Sequence, residues 1–111
     1  SGYFYGYHDA LLVLNDNCSC NYVPHLWETV DMGDIGALIA PRPFLVETGD
    51  QDPLNGERGA VNAVEQMETV RRAYRIFEKE ELCRHDICSG KHRWYGVNAY
   101  DFLSEQLQCG K

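Results

Sequence analysis

The chain has 111 residues, 44% of them apolar and 24% charged, and carries a net charge of −7 at neutral pH. That length sets one domain as the ceiling and leaves no room for a second core. The acidic balance argues against a nucleic-acid surface, which needs clustered Lys and Arg. No apolar run approaches the roughly 20 residues of a membrane span.

Taken in order, the opening Gly2-Tyr3-Phe4-Tyr5-Gly6-Tyr7 is aromatic and glycine-rich. It suggests the tip of a strand leaving a sheet. Residues 8–30 show no sustained period, which predicts a long ordered loop serving as pocket wall or lid. Asp31 or Asp34 can cap a short helix whose apolar face is Ile35, Leu38 and Ile39, and Pro41 and Pro43 end it. Residues 43–48 predict a strand that is apolar on both faces, as expected between two helical layers.

From Arg58 to Lys79 the pattern is helical. Ala60, Val61, Val64, Met67, Val70, Tyr74 and Phe77 recur at spacings of three and four. Arg71, Arg72 and Arg75 fall together on a solvated side. Leu82 to Cys88 carries Arg84 and Asp86, which suits an edge strand. Val97 to Gln108 predicts a last helix with Ala99, Leu103 and Leu107 in one stripe and Cys109-Gly110 closing it. Strand, helix, strand, helix in this order implies an α/β fold with parallel strands and crossover helices.

Two loops carry the chemistry. The strand at 43–48 runs into Gly49-Asp50-Gln51-Asp52-Pro53, and the next strand is followed by Ser89-Gly90-Lys91-His92-Arg93-Trp94. In an open parallel sheet, ligands sit at the carboxyl ends of the strands, and both loops leave that edge. A histidine acting as general base needs a carboxylate on its far nitrogen, and adjacent strand ends can supply the pair Asp52 and His92. Gly49 and Gly90 provide tight turns, and Pro53 delays the following helix. An Asp in such a turn is also a common turn former or helix cap, which is the structural reading of Asp52 and of Asp50. His8, His25 and His85 are lesser candidates. Trp94 and Tyr22 are candidate substrate contacts, with packing against the last helix the plainer reading of Trp94.

Acid then histidine, each after a strand, is the back half of a Ser-His-Asp hydrolase in the order Ser, acid, His. No Gly-x-Ser-x-Gly occurs in the chain. The expectation is therefore a C-terminal piece of such an enzyme, without the half that bears the nucleophile elbow.

The five cysteines, Cys18, Cys20, Cys83, Cys88 and Cys109, are odd in number, so they cannot all pair internally. Free thiols suit a reducing compartment. On a strand, Cys83 and Cys88 point to opposite faces, which disfavours a shared metal. No metal and no cofactor are expected.

The segments Ser1-Gly2-Tyr3-Phe4, Cys20-Asn21-Tyr22-Val23-Pro24, Asp31-Met32-Gly33-Asp34, Ala37-Leu38-Ile39-Ala40-Pro41-Arg42-Pro43, Gly49-x-x-Asp52-Pro53 and Gly90-Lys91-His92-Arg93-Trp94 occur in this order along nearly the whole chain. They resemble the C-terminal half of α/β-hydrolases of the acetyl-xylan-esterase-like and dienelactone-hydrolase-like group. The resemblance implies that Asp52 is the triad acid and His92 the general base. It also implies hydrolysis of a small carboxylic ester, such as an acetylated carbohydrate, through an acyl-serine. The chain has Gly90-Lys91-His92 where that group often has Gly-Gly-His. The alternative of a different class is a stand-alone, non-catalytic interaction module using an unpaired sheet edge. Self-association through an uncovered strand near Tyr3-Phe4-Tyr5 is expected on either reading.

Overall fold

Two six-residue strands, β1 (Phe44–Gly49) and β2 (Cys83–Cys88), pair in parallel. Phe44 stands opposite Cys83 and Gly49 opposite Cys88. Parallel neighbours need a crossover, and the 17-residue helix α2 (Ala60–Ile76) supplies it. A short helix, α1 (Met32–Ala37), precedes β1, and α3 (Ala99–Leu107) follows β2. The computed structural model describes residues 2–108. It is a small α/β fold with a two-stranded sheet. Among the described residues no helix is long and apolar enough to cross a membrane.

The main core lies between β1 and α2, where Val46, Met67, Val70, Tyr74 and Cys83 pack together with Phe4 and Phe44 at the margin. Burial along α2 follows Ala63, Met67, Val70 and Tyr74. The apolar stripe read from the sequence holds for the last three and fails for Val61, Val64 and Phe77, which are exposed. The reason is polar. Asn62 is buried, receives the Gly6 amide at 3.1 Å and donates to the carbonyls of Gly6 and Asn55 at 3.2 and 2.8 Å. One turn later Gln66 accepts from the Gly33 amide at 2.7 Å and donates to Asp31 at 3.2 Å. These amides satisfy backbone groups that would otherwise be buried without partners, so the first half of α2 turns them inward and its valines outward.

The same network corrects the expectation for the N-terminal segment. Residues 2–7 form no strand. Gly2 donates to the Glu47 carbonyl at 3.2 Å, but Gly6 bonds Asn62, and the Tyr7 amide goes to Asp31 Oδ1 at 2.8 Å. Side chains take the groups that a strand ladder would have used. Tyr5 and Tyr7 are buried with Ala10 and Leu11 in a smaller apolar cluster of the same domain, flanked by Tyr22 and Leu26. The expected strand edge at Tyr3-Phe4-Tyr5 is therefore not formed, and Tyr5 is buried while Tyr3 stays exposed.

Residues 8–30 are more structured than a loop. They contain a π-helical turn over His8–Val13 and a 3₁₀ turn over Ser19–Asn21, both too short to show a period in the sequence. Helix α1 starts at Asp31 with a reciprocal capping box in which Asp34 bonds back to the Asp31 amide. Its inward residues are Met32, Gly33 and Gly36, while Ile35 and Leu38 face outward, Leu38 at 79% exposure. The reversal follows from close packing: a Cβ on Gly36 would stand 2.9 Å from both the Phe4 ring and Val70. Only glycines let α1 approach α2 this closely.

On the other sheet face α3 buries Ala99 and Phe102, not the expected Leu103 and Leu107, which are exposed. The Arg84 guanidinium lies 5.2 Å from the Phe102 ring centroid, a cation–π contact on the buried ring. The expected Cys109-Gly110 cap lies outside the described residues.

Candidate active site

The carboxyl ends of β1 and β2 are stitched together beyond the strands. Asp50 donates its amide to the Cys88 carbonyl and Gln51 to the Gly90 carbonyl, each at 2.9 Å. The two post-strand turns thus lie side by side. Gly49 is required by proximity, because a Cβ there would be 2.6 Å from the carbonyl oxygens of Gly90 and Lys91. Gly90 adopts φ 148°, which a side chain would strain.

This frame brings the two main candidates into contact. His92 Nδ1 lies 2.7 Å from Asp52 Oδ2. The Asp52 side chain is fully buried, while that of His92 is 51% exposed. The other carboxylate oxygen, Oδ1, accepts the Leu54 amide at 2.9 Å and so caps the 3₁₀ turn Pro53–Asn55. The cap and the contact with histidine are made on separate oxygens of one carboxylate. A carboxylate partner puts the ring proton on Nδ1 and leaves Nε2 as the basic lone pair. Nε2 makes no hydrogen bond among the described residues.

His92 lines a hollow of about 300 Å³ whose walls include Tyr3, Tyr5, Cys18, Cys20 and Asn21. Gly2 closes one side, and a Cβ there would meet the imidazole at 2.7 Å. The Tyr5 hydroxyl donates to Asn17 at 3.2 Å, and burial raises its pKa far above the ordinary 10.0.

The remaining candidates separate from this centre. Asp50 accepts the Gly90 amide at 2.9 Å and does not bond His92. His85 sits mid-strand, 2.8 Å from the Thr48 hydroxyl, and burial drops its pKa from 6.5 to about 4, with the nearby Arg71 charge acting in the same direction. His8 and His25 bond Asp9 and Glu28 at the surface. Trp94 packs edge-on against Tyr100 of α3 at 6.1 Å and lines a separate hollow with Leu45 and Phe102. Tyr22 lines a third hollow with Tyr7, Val23 and Trp27, its hydroxyl buried without a hydrogen-bond partner among the described residues. Neither Trp94 nor Tyr22 borders the hollow of His92. Cys83 and Cys88 occupy opposite faces of β2, and no group of three metal-binding side chains gathers among the described residues.

One participant escaped the sequence reading. Glu47, on β1, is 1% exposed, and its carboxylate accepts the amides of Tyr95 at 3.4 Å and Gly96 at 2.7 Å. A charged residue inside a run otherwise apolar was the available signal, since buried carboxylates require partners. Comparisons of the chain with protein-family models, curated proteins and solved structures found no significant match to any of them.

Proposed function

We propose that this chain supplies the acid and the general base of a serine carboxylic-ester hydrolase. The observation that carries the reading is the 2.7 Å contact between buried Asp52 and half-exposed His92 at adjacent strand ends. The order of acid and histidine, and the resemblance to the acetyl-xylan-esterase-like and dienelactone-hydrolase-like group, support it as well. In this mechanism His92 Nε2 takes the proton of a serine hydroxyl as that oxygen attacks the ester carbonyl. The imidazolium, steadied by Asp52, then returns the proton to the departing alcohol. Water repeats the sequence to release the acid and regenerate the serine. The serine belongs to a Gly-x-Ser-x-Gly segment, which these 111 residues do not contain.

The test begins with the coding region upstream of Ser1. A Gly-x-Ser-x-Gly roughly 50–100 residues before it, following a strand and opening a helix, is expected. In the protein carrying that segment, Asp52→Asn lowers turnover of p-nitrophenyl acetate about 10⁴-fold by favouring the wrong tautomer. A variant within a few-fold of wild type overturns the reading. The 111-residue chain alone, lacking that segment, is expected to show no burst of product. A start codon directly before Ser1 would instead favour the non-catalytic module.

Self-association belongs to the same proposal, relocated to the outer faces. Leu38, Ile76 and Phe77 are exposed at 79%, 81% and 52%, and these are apolar side chains that a second copy of the chain would cover. Sedimentation at high protein concentration is expected to show more than monomer; a clean monomer removes this part.

A further inference from the structure

Three carboxylates from β1 and its following turn grip the loop that carries His92 at three points. Asp50 holds the Gly90 amide, Asp52 holds the imidazole, and Glu47 holds the amides of Tyr95 and Gly96. Glu47 is the one whose burial is hardest to explain otherwise. It is 1% exposed, on the same sheet face as Leu45 and Arg84. A carboxylate taken out of water is costly unless its oxygens are bonded, and two backbone amides of one loop meet that need. The segment they belong to has few apolar anchors of its own, with Trp94 at 53% and Val97 at 67% exposure. Gly96 adopts φ 68°, which turns the chain away just after the clamp.

We propose that Glu47 is a positioning residue for His92: by fixing residues 95–96 to β1 it holds the preceding imidazole on Asp52. The proposal rests on the dyad reading above and deepens it. Glu47 touches no reacting atom, so its effect passes through the loop alone. Glutamine in its place has one acceptor oxygen, which can hold one of the two amides, and would set its NH₂ against the other, replacing that bond with a donor–donor clash. Aspartate keeps both acceptors on a stem shorter by one carbon.

The test uses the 111-residue chain and nuclear magnetic resonance, so no activity is required. The reporters are the His92 Nδ1–H signal and the exchange rates of the Tyr95 and Gly96 amides. In wild type the Gly96 amide is expected to exchange at least about 100-fold slower than an unstructured amide. Glu47→Gln is expected to abolish the His92 signal and speed Gly96 exchange at least about tenfold, with Glu47→Asp recovering part of both. Val70→Ala, which loosens the opposite sheet face, is expected to lower stability and leave the His92 signal in place. A folded Glu47→Gln chain with the wild-type signal overturns the positioning role while the dyad stands, and so does a Val70→Ala chain that loses the signal equally. Should Glu47→Gln not fold, free exchange of the wild-type Gly96 amide still overturns the proposal. If Asp52→Asn leaves His92 unchanged, the dyad itself fails, and the positioning role with it.

Discussion

The two faces of the β1–β2 sheet are held by different forces. Against α2 the sheet is dry: Val46, Met67, Val70, Tyr74 and Cys83 meet with little polar content, and His85 is drawn in with Thr48. Against α3 it is held by charge and amide: Glu47 on Tyr95 and Gly96, Asp86 on Asn98 at 3.1 Å, and Arg84 over Phe102. Only Ala99 and Phe102 of α3 are buried there. Apolar burial is strong but non-directional, whereas hydrogen bonds are weaker and fix geometry. The first face stabilises the fold; the second sets where the histidine loop lies.

That contrast can be broken by substitution. The largest expected effect is on the dry face. Met67→Ala, at a site of 0% exposure, should cost about 2–5 kcal/mol in denaturant unfolding. A cost near that of a surface change would show that the face is not a packed core.

Acidification probes the same face through His85. Its pKa falls from 6.5 to about 4 in the folded chain because burial disfavours the imidazolium. Between those values the unfolded chain binds a proton that the folded chain does not. The contribution of His85 to stability is therefore fully present above pH 6.5, declines as pH falls, and is lost below about pH 4. Thermal melts of wild type and His85→Gln between pH 7 and 4.5 check this: the variant should show a shallower decline. Parallel curves would remove His85 as the cause.

The polar side of the molecule is probed at Asp31, which caps α1 and also binds the amide of Tyr7 and the side chain of Gln66. Asp31→Ala should cost about 1–2 kcal/mol, at the upper end for a lost cap because the Tyr7 amide also loses its acceptor. The smallest effect belongs to α3. Leu103 is 47% exposed, so Leu103→Ala should change stability by less than about 0.5 kcal/mol. A loss comparable with that of Met67→Ala would mean that α3 carries as much of the core as α2 and would erase the distinction between the faces.

The sequence by itself determined the elements whose signal is local. Period and breakers placed α2, β2 and the proline stop after α1, and Asp31 was legible as a cap. The acid and histidine were legible because each follows a strand in a glycine-bearing turn, and parallel strands put both turns on one edge. What the tertiary structure alone decided is which side of each helix faces inward. Asn62 and Gln66 turn in because buried backbone amides of the N-terminal segment need partners, and Gly33 and Gly36 turn in because two helices approach closely. Hydrophobicity assigns all four to the wrong side, since it counts neither hydrogen bonds nor distance. Glu47 belongs to the same class. Its carboxylate is explained only by amides 48 and 49 residues further along the chain, a pairing that exists once β1, β2 and the histidine loop have come together.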